Sequence, residues 1–72
     1  NATRVLTSRG QINILNLERD SYIAVYSLSG QLLYQKSHAA GQQVIAIQSG
    51  FYIVRISGIG SVQSQKVIVP LD

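Results

Sequence analysis

The chain has 72 residues, room for one domain with a small core. Apolar residues make up 46% and charged residues 12%, about half the roughly 25% usual for soluble domains, which excludes a highly charged disordered chain. The net charge of +3 is dispersed over Arg4, Arg9, Arg19, Lys36, Arg55 and Lys66, which argues against the basic stripe of a nucleic-acid binder.

The first predicted element is a short strand, Arg4 to Thr7. Gln11 to Leu17 alternates polar and apolar residues, with Ile12 and Ile14 on one face, the period of a strand. Glu18 to Ser21 reads as a polar turn. Tyr22 to Leu28 is a strong strand, with Ile23 and Val25 on one face and Tyr22, Ala24 and Tyr26 on the other. Apolar residues on both faces predict an interior position. Ser29 and Gly30 break that run, and Gln31 to Lys36 is the return arm of a hairpin.

Ser37 to Gln42, containing Ala39, Ala40 and Gly41, reads as a loop. Gln43 to Ile47 alternates again, with Val44 and Ala46 opposite Ile45 and Ile47. Gln48, Ser49 and Gly50 form a tight corner. Phe51 to Ile56 is the second strong strand. A turn at Gly58, Ile59 and Gly60 leads into a last strand, Ser61 to Val69, closed by Pro70, which has no amide proton for a ladder.

Seven short strands at intervals of about ten residues predict an all-β fold, an Ig-like antiparallel sandwich. Its expected core is Ile12, Ile14, Ile23, Val25, Leu28, Leu33, Ile45, Ile47, Tyr52, Val54, Ile56, Val67 and Val69. These hold one parity within each strand, so the pattern fixes the register.

Candidates for chemistry are sparse. No cysteine is present, so a disulfide, a thiolate metal site and a cysteine nucleophile are all excluded. The acids are Glu18, Asp20 and Asp72. Glu18 and Asp20 share one exposed turn, whereas calcium wants six or more oxygens from a shaped loop. His38 is the only histidine and sits in a loop without partners for a metal. A serine triad would also need an oxyanion hole and a substrate pocket, for which the chain is too short. Gly58, Ile59 and Gly60 lack the third glycine and following helix of a dinucleotide site. The expectation is a protein that is not an enzyme and needs no cofactor or metal.

Three segments resemble a known family. Ile23 to Tyr34 (IAVYSLSGQLLY) looks like a block of hydrophobic strand, Asp, two residues, Gly, a basic residue and a hydrophobic one. Ser49 to Ile56 (SGFYIVRI) matches Gly, any residue, Tyr, two apolar residues, a basic residue and an apolar one. Lys66 to Val69 (KVIV) matches a closing Lys-plus-apolar run. In this order the blocks resemble the type A C-terminal sorting domain of type IX secretion cargo in Bacteroidetes, over roughly residues 10 to 69. This chain departs from the family pattern in four places. Ser27 stands where Asp is frequent, and Gln31 where a basic residue is. The end, Val69 to Asp72, is not basic, and no Asn-Pro pair opens the domain.

The resemblance implies a non-catalytic sorting signal for export across the outer membrane. Its implied partners are the type IX outer-membrane translocon and a sortase-like peptidase, which in the family removes the domain and attaches the cargo to surface lipopolysaccharide. Some family members keep the domain. The implied route is export to the periplasm, then to the outer-membrane surface or the extracellular space. By this resemblance Gly50, Tyr52, Arg55, Lys66, Val67, Ile68 and Val69 are the residues expected to be recognised. Gly30 and Gly50 serve as structural turns that a Cβ would obstruct. A last strand at a sheet edge is open to β-augmentation.

Methionine is absent even at position 1, so residues 1–72 are expected to be a single sorting domain cut from a larger precursor. No apolar run reaches the roughly 18 residues of a membrane span. No signal peptide opens the chain, so an export signal is expected upstream. Two other readings remain at this stage. One is an Ig- or fibronectin-like adhesive or carbohydrate-binding module using Tyr22, Tyr26 or Tyr34. The other is a spacer, or a homodimer formed by strand-edge pairing.

Overall fold

The computed structural model of the chain describes residues 2–71, so Asp72 lies outside the described residues. Five strands run in order: β1 (Arg4–Ser8), β2 (Gln11–Ser27), β3 (Leu32–Ala46), β4 (Gly50–Gly58) and β5 (Ser61–Val69). All pairings are antiparallel. β2 lies between β1 and β4, β5 pairs with β4, and β3 also pairs with β2.

Two long strands make this one folded sheet. The first part of β2, Gln11 to Ile14, pairs with β1 on one side and the end of β3 on the other. The last part, Tyr22 to Ser27, pairs with β4 on one side and the start of β3 on the other. Between these parts the β2–β3 ribbon bends, and the sheet folds over into the two layers of an Ig-like sandwich. β1 meets β5 where the layers close, and the Thr7 hydroxyl donates to the Ile68 carbonyl at 2.8 Å.

The expected count of seven strands is corrected to five. The Glu18–Ser21 turn and the Ser37–Gln42 loop are not chain reversals but irregular stretches inside β2 and β3. Asn16, Asp20, His38 and Gly41 take positive φ there, and the register shifts around Leu17 and Ser21. Such bulges bend a strand and re-aim its side chains. In β2 the inward positions are Ile12 and Ile14 before the bend, then Leu17, Ser21, Ile23 and Val25 after it. The parity changes at Asn16, and without that change one half of β2 would turn its apolar face outward.

The core comprises Val5, Ile12, Ile14, Leu17, Ile23, Val25, Ala39, Ile45, Val54, Ile56, Val67 and Val69, with Tyr34, Ile47 and Tyr52 packed against it. Leu28 and Leu33 were expected in this core and are not part of it, being 52% and 45% exposed. Leu28 lies past the end of β2, in the turn. Leu33 sits at a register shift, where Tyr26 opposes Leu32 and Val25 opposes Tyr34. The extra residue flips the parity, so Tyr34 takes the inward place. The hairpin itself forms as expected, with Gly30 at φ 94°. Its amide donates to the Ser27 carbonyl at 3.0 Å, and Ser27 N donates to Gln31 O at 2.9 Å.

Candidate strand-edge recognition surface

The candidate recognition residues all lie on the β4–β5 ribbon. Its entry is the corner Gln48–Gly50. Gly50 has φ 151°, and a Cβ there would stand 3.4 Å from the Tyr52 hydroxyl. That hydroxyl donates to the Gln48 carbonyl at 2.8 Å. Tyr52 thus closes the corner with its polar tip while its ring packs on the core, the usual division of labour in a half-buried tyrosine.

Beyond the corner, Tyr52, Val54 and Ile56 face inward and Phe51, Ile53 and Arg55 face outward. On β5 the partners of Phe51, Ile53 and Arg55 are Ile68, Lys66 and Ser64. The outward face of the ribbon therefore carries Phe51 and Ile68, both more than half exposed, beside two cations. Lys66 Nζ lies 5.6 Å from the centre of the Phe51 ring, within range of a cation–π contact. Arg55 is a diagonal neighbour of Lys66 across the strand pair. Neither cation forms an ion pair among the described residues.

The candidate recognition residues on β5 divide by face. Val67 and Val69 are buried, whereas Lys66 and Ile68 are exposed. Ser61 to Lys66 are exposed at every position, on both faces. β5 pairs only with β4 among the described residues, so its other side is a sheet edge. The Thr7 contact tells which backbone groups point there. Ile68 O turns away from β4 to meet Thr7. In a regular antiparallel ladder both backbone groups of a residue point the same way, and the direction alternates. The β4–β5 register has no shift, so Val62, Ser64 and Lys66 also aim their N–H and C=O outward. Ile68 O is capped by Thr7; the other three residues form an open rim.

The remaining sequence candidates do not assemble into a reactive centre. His38 Nδ1 and Asp20 Oδ1 approach to 3.3 Å across the bend, with both side chains mostly exposed. No group of three potential metal ligands occurs among the described residues. An open cleft between the β1–β2 turn, the Gln48 corner and Pro70 is lined by Gly10, Ala46, Ile47, Gln48, Ser49 and Leu71, none of them titratable. Tyr22 and Tyr26 lie on the outer face, with the Tyr22 hydroxyl donating to Gln35 Oε1 at 2.7 Å, while Tyr34 packs against the core. These three tyrosines do not form one platform.

Two contributors escaped the sequence reading. Phe51 had a signal, since apolar residues occupy both parities of β4. Thr7 had none, because its partner lies 61 residues away.

Fold and surface together define a small all-β sandwich whose accessible features include a strand edge and an apolar face bearing Arg55 and Lys66. The chain belongs to the secretion system C-terminal sorting domain family, whose profile matches residues 8–70. Membership makes the domain a C-terminal sorting signal for type IX secretion. It implies a protein that interacts with the type IX machinery and goes to the cell surface or the extracellular space. A comparison with curated proteins finds no match. No helix among the described residues is long and apolar enough to cross a membrane.

The departure at Ser27 has a local explanation. Its hydroxyl accepts the Gln31 amide at 3.1 Å and shares a 2.8 Å hydrogen bond with Ser29. An aspartate at this position would accept the same amide, so serine preserves the turn with a neutral group.

Proposed function

We propose that the β4–β5 ribbon is the part of this sorting signal that the outer-membrane translocon reads. The observation carrying this reading is the open rim of Val62, Ser64 and Lys66, beside an outward face where Arg55 and Lys66 have no acidic partner among the described residues. A translocon segment added along β5 gains its affinity from backbone hydrogen bonds and its selectivity from alternate side chains. Gly50 and Tyr52 shape the entry to the ribbon. Val67 and Val69 anchor the strand from below, and Arg55, Lys66 and Ile68 present the signal.

On this reading the domain performs no catalysis. It is the C-terminal domain of a larger cargo, which crosses the inner membrane by an ordinary export signal. The tail folds in the periplasm, is recognised at the outer membrane, and is then a substrate for a sortase-like peptidase.

Deleting residues 62–72 from the parent protein is expected to leave the cargo in the periplasm, measured by cell fractionation and surface labelling. Normal surface delivery after that deletion rejects the proposal. Because the deletion also removes core valines, the double variant Arg55→Glu/Lys66→Glu provides a folded counterpart. Retained cargo is expected with that variant too.

A further inference from the structure

The β5 edge has a second property, independent of export: it is complementary to itself. Natural edge strands are usually blunted by charged side chains, a proline or a bulge, and the one charge on this rim, Lys66, lies at its end. Residues Ser61 to Gln65 contain no charge and no proline, and the β4–β5 register runs without a shift. The three residues with outward backbone groups are Val62, Ser64 and Lys66. An antiparallel pairing of two such edges centred on Ser64 places Ser64 opposite Ser64 and Val62 opposite Lys66. Every free N–H and C=O of the rim then meets a partner, because the outward-facing residues oppose one another as hydrogen-bonded pairs. In the same register Gln63 opposes Gln65, two neutral amides that can both donate and accept. Lys66 is kept from its own copy and lays its stem beside the exposed Val62. A shift of two residues in either direction leaves part of the rim unpaired, and a shift that opposes Lys66 to itself adds like-charge repulsion.

We infer that two copies of this chain form an isologous dimer through β5, centred on Ser64, joining their β4–β5 ribbons edge to edge. The partner is a second copy of the chain: across the two-fold, Ser64 meets Ser64, Gln63 meets Gln65 and Val62 meets Lys66, so the rim is paired with no like charges opposed. The dimer covers the backbone groups that the export reading needs open, so paired copies are a masked form of the signal.

The test uses the 72-residue chain and no secretion readout, so its outcome is separate from that of the export proposal. Sedimentation velocity is expected to show the mass rising with concentration from 7.8 kDa to twice that value. Ser64→Pro removes an amide that points outward and not into the β4 ladder, a position where an edge strand tolerates proline. This variant is expected to stay at the monomer mass with an unchanged β-sheet circular dichroism spectrum. A second measurement covers the case in which the proline variant does not fold. The chain has no cysteine, so Ser64→Cys introduces a lone thiol on the two-fold axis, where Cα atoms about 5.5 Å apart in a hydrogen-bonded pair suit a disulfide. It is expected to oxidise to a covalent dimer faster than Gln63→Cys, whose thiol would face Gln65 of the other copy. A single monomer mass at every concentration, a dimer that survives Ser64→Pro, or equal cross-linking by the two cysteine variants overturns the inference.

Discussion

Tyr52 ties a surface corner to the interior. Its ring packs on the core while its hydroxyl holds the Gln48 carbonyl at 2.8 Å, so the chain must turn at Ser49–Gly50 to let both contacts form. Tyr52→Phe keeps the ring and removes one hydrogen bond, and is expected to lower stability by about 0.5–1.5 kcal/mol. A urea denaturation midpoint checks this, and an unmoved midpoint would mean that the ring alone sets the corner. Gly50 contributes its φ of 151°, a region where a side chain is strained. Gly30 acts in the same way at 94°, where a Cβ would meet nothing within 4 Å; backbone conformation, not crowding, selects glycine there. Both glycines were legible as turns from the sequence, since glycine between two β-type runs has few other uses.

At the scale of elements, strands were more legible than the bends within them. Ile12, Ile14, Ile23, Val25, Val54, Ile56, Val67 and Val69 are buried as their alternation predicts. The joints at Glu18–Ser21 and Ser37–Gln42 read as chain reversals because bends and turns draw on the same residues. Asn, Asp, His and Gly tolerate positive φ in either setting, and only the partner strand decides which one results. Here β3 follows β2 through the bend, Leu17 opposing Gly41 and Ser21 opposing Ala39, so the ribbon stays paired and merely changes direction. Leu33 was misread for a related reason, as an inserted residue opposite Val25 and Tyr26 leaves no local trace. β5 shows alternation in its simplest form. Val67→Ala is expected to cost about 1–3 kcal/mol, since its side chain is buried. Ile68→Ala, on the exposed face, is expected to stay within about 0.5 kcal/mol. Thermal melts of the two variants compare them directly, and equal losses would contradict the assigned facing of β5.

The whole molecule has one core and little reserve. Small single-core domains typically hold on the order of 3–5 kcal/mol. Ile14, fully buried where β1, β2 and β3 meet, is expected to lose about 2–5 kcal/mol on replacement by alanine, enough to populate the unfolded state heavily. Leu33→Ala, outside the core, is expected to retain a native circular dichroism spectrum and melting temperature. A native-like melt for Ile14→Ala would show stabilisation from some source other than this core. The candidate surface was legible only in part. Its cations and last strand stand out in sequence, but the set of backbone groups left free follows from the Thr7 contact, and no local pattern encodes a bond between residues 7 and 68. That same bond joins the first strand to the last. A polypeptide interrupted during synthesis anywhere before Ser61 has nothing with which to meet Thr7 or to cover the flank of β4. The fold therefore closes only once β5 has been made, so its two layers are joined by the strand that is synthesised last of the five.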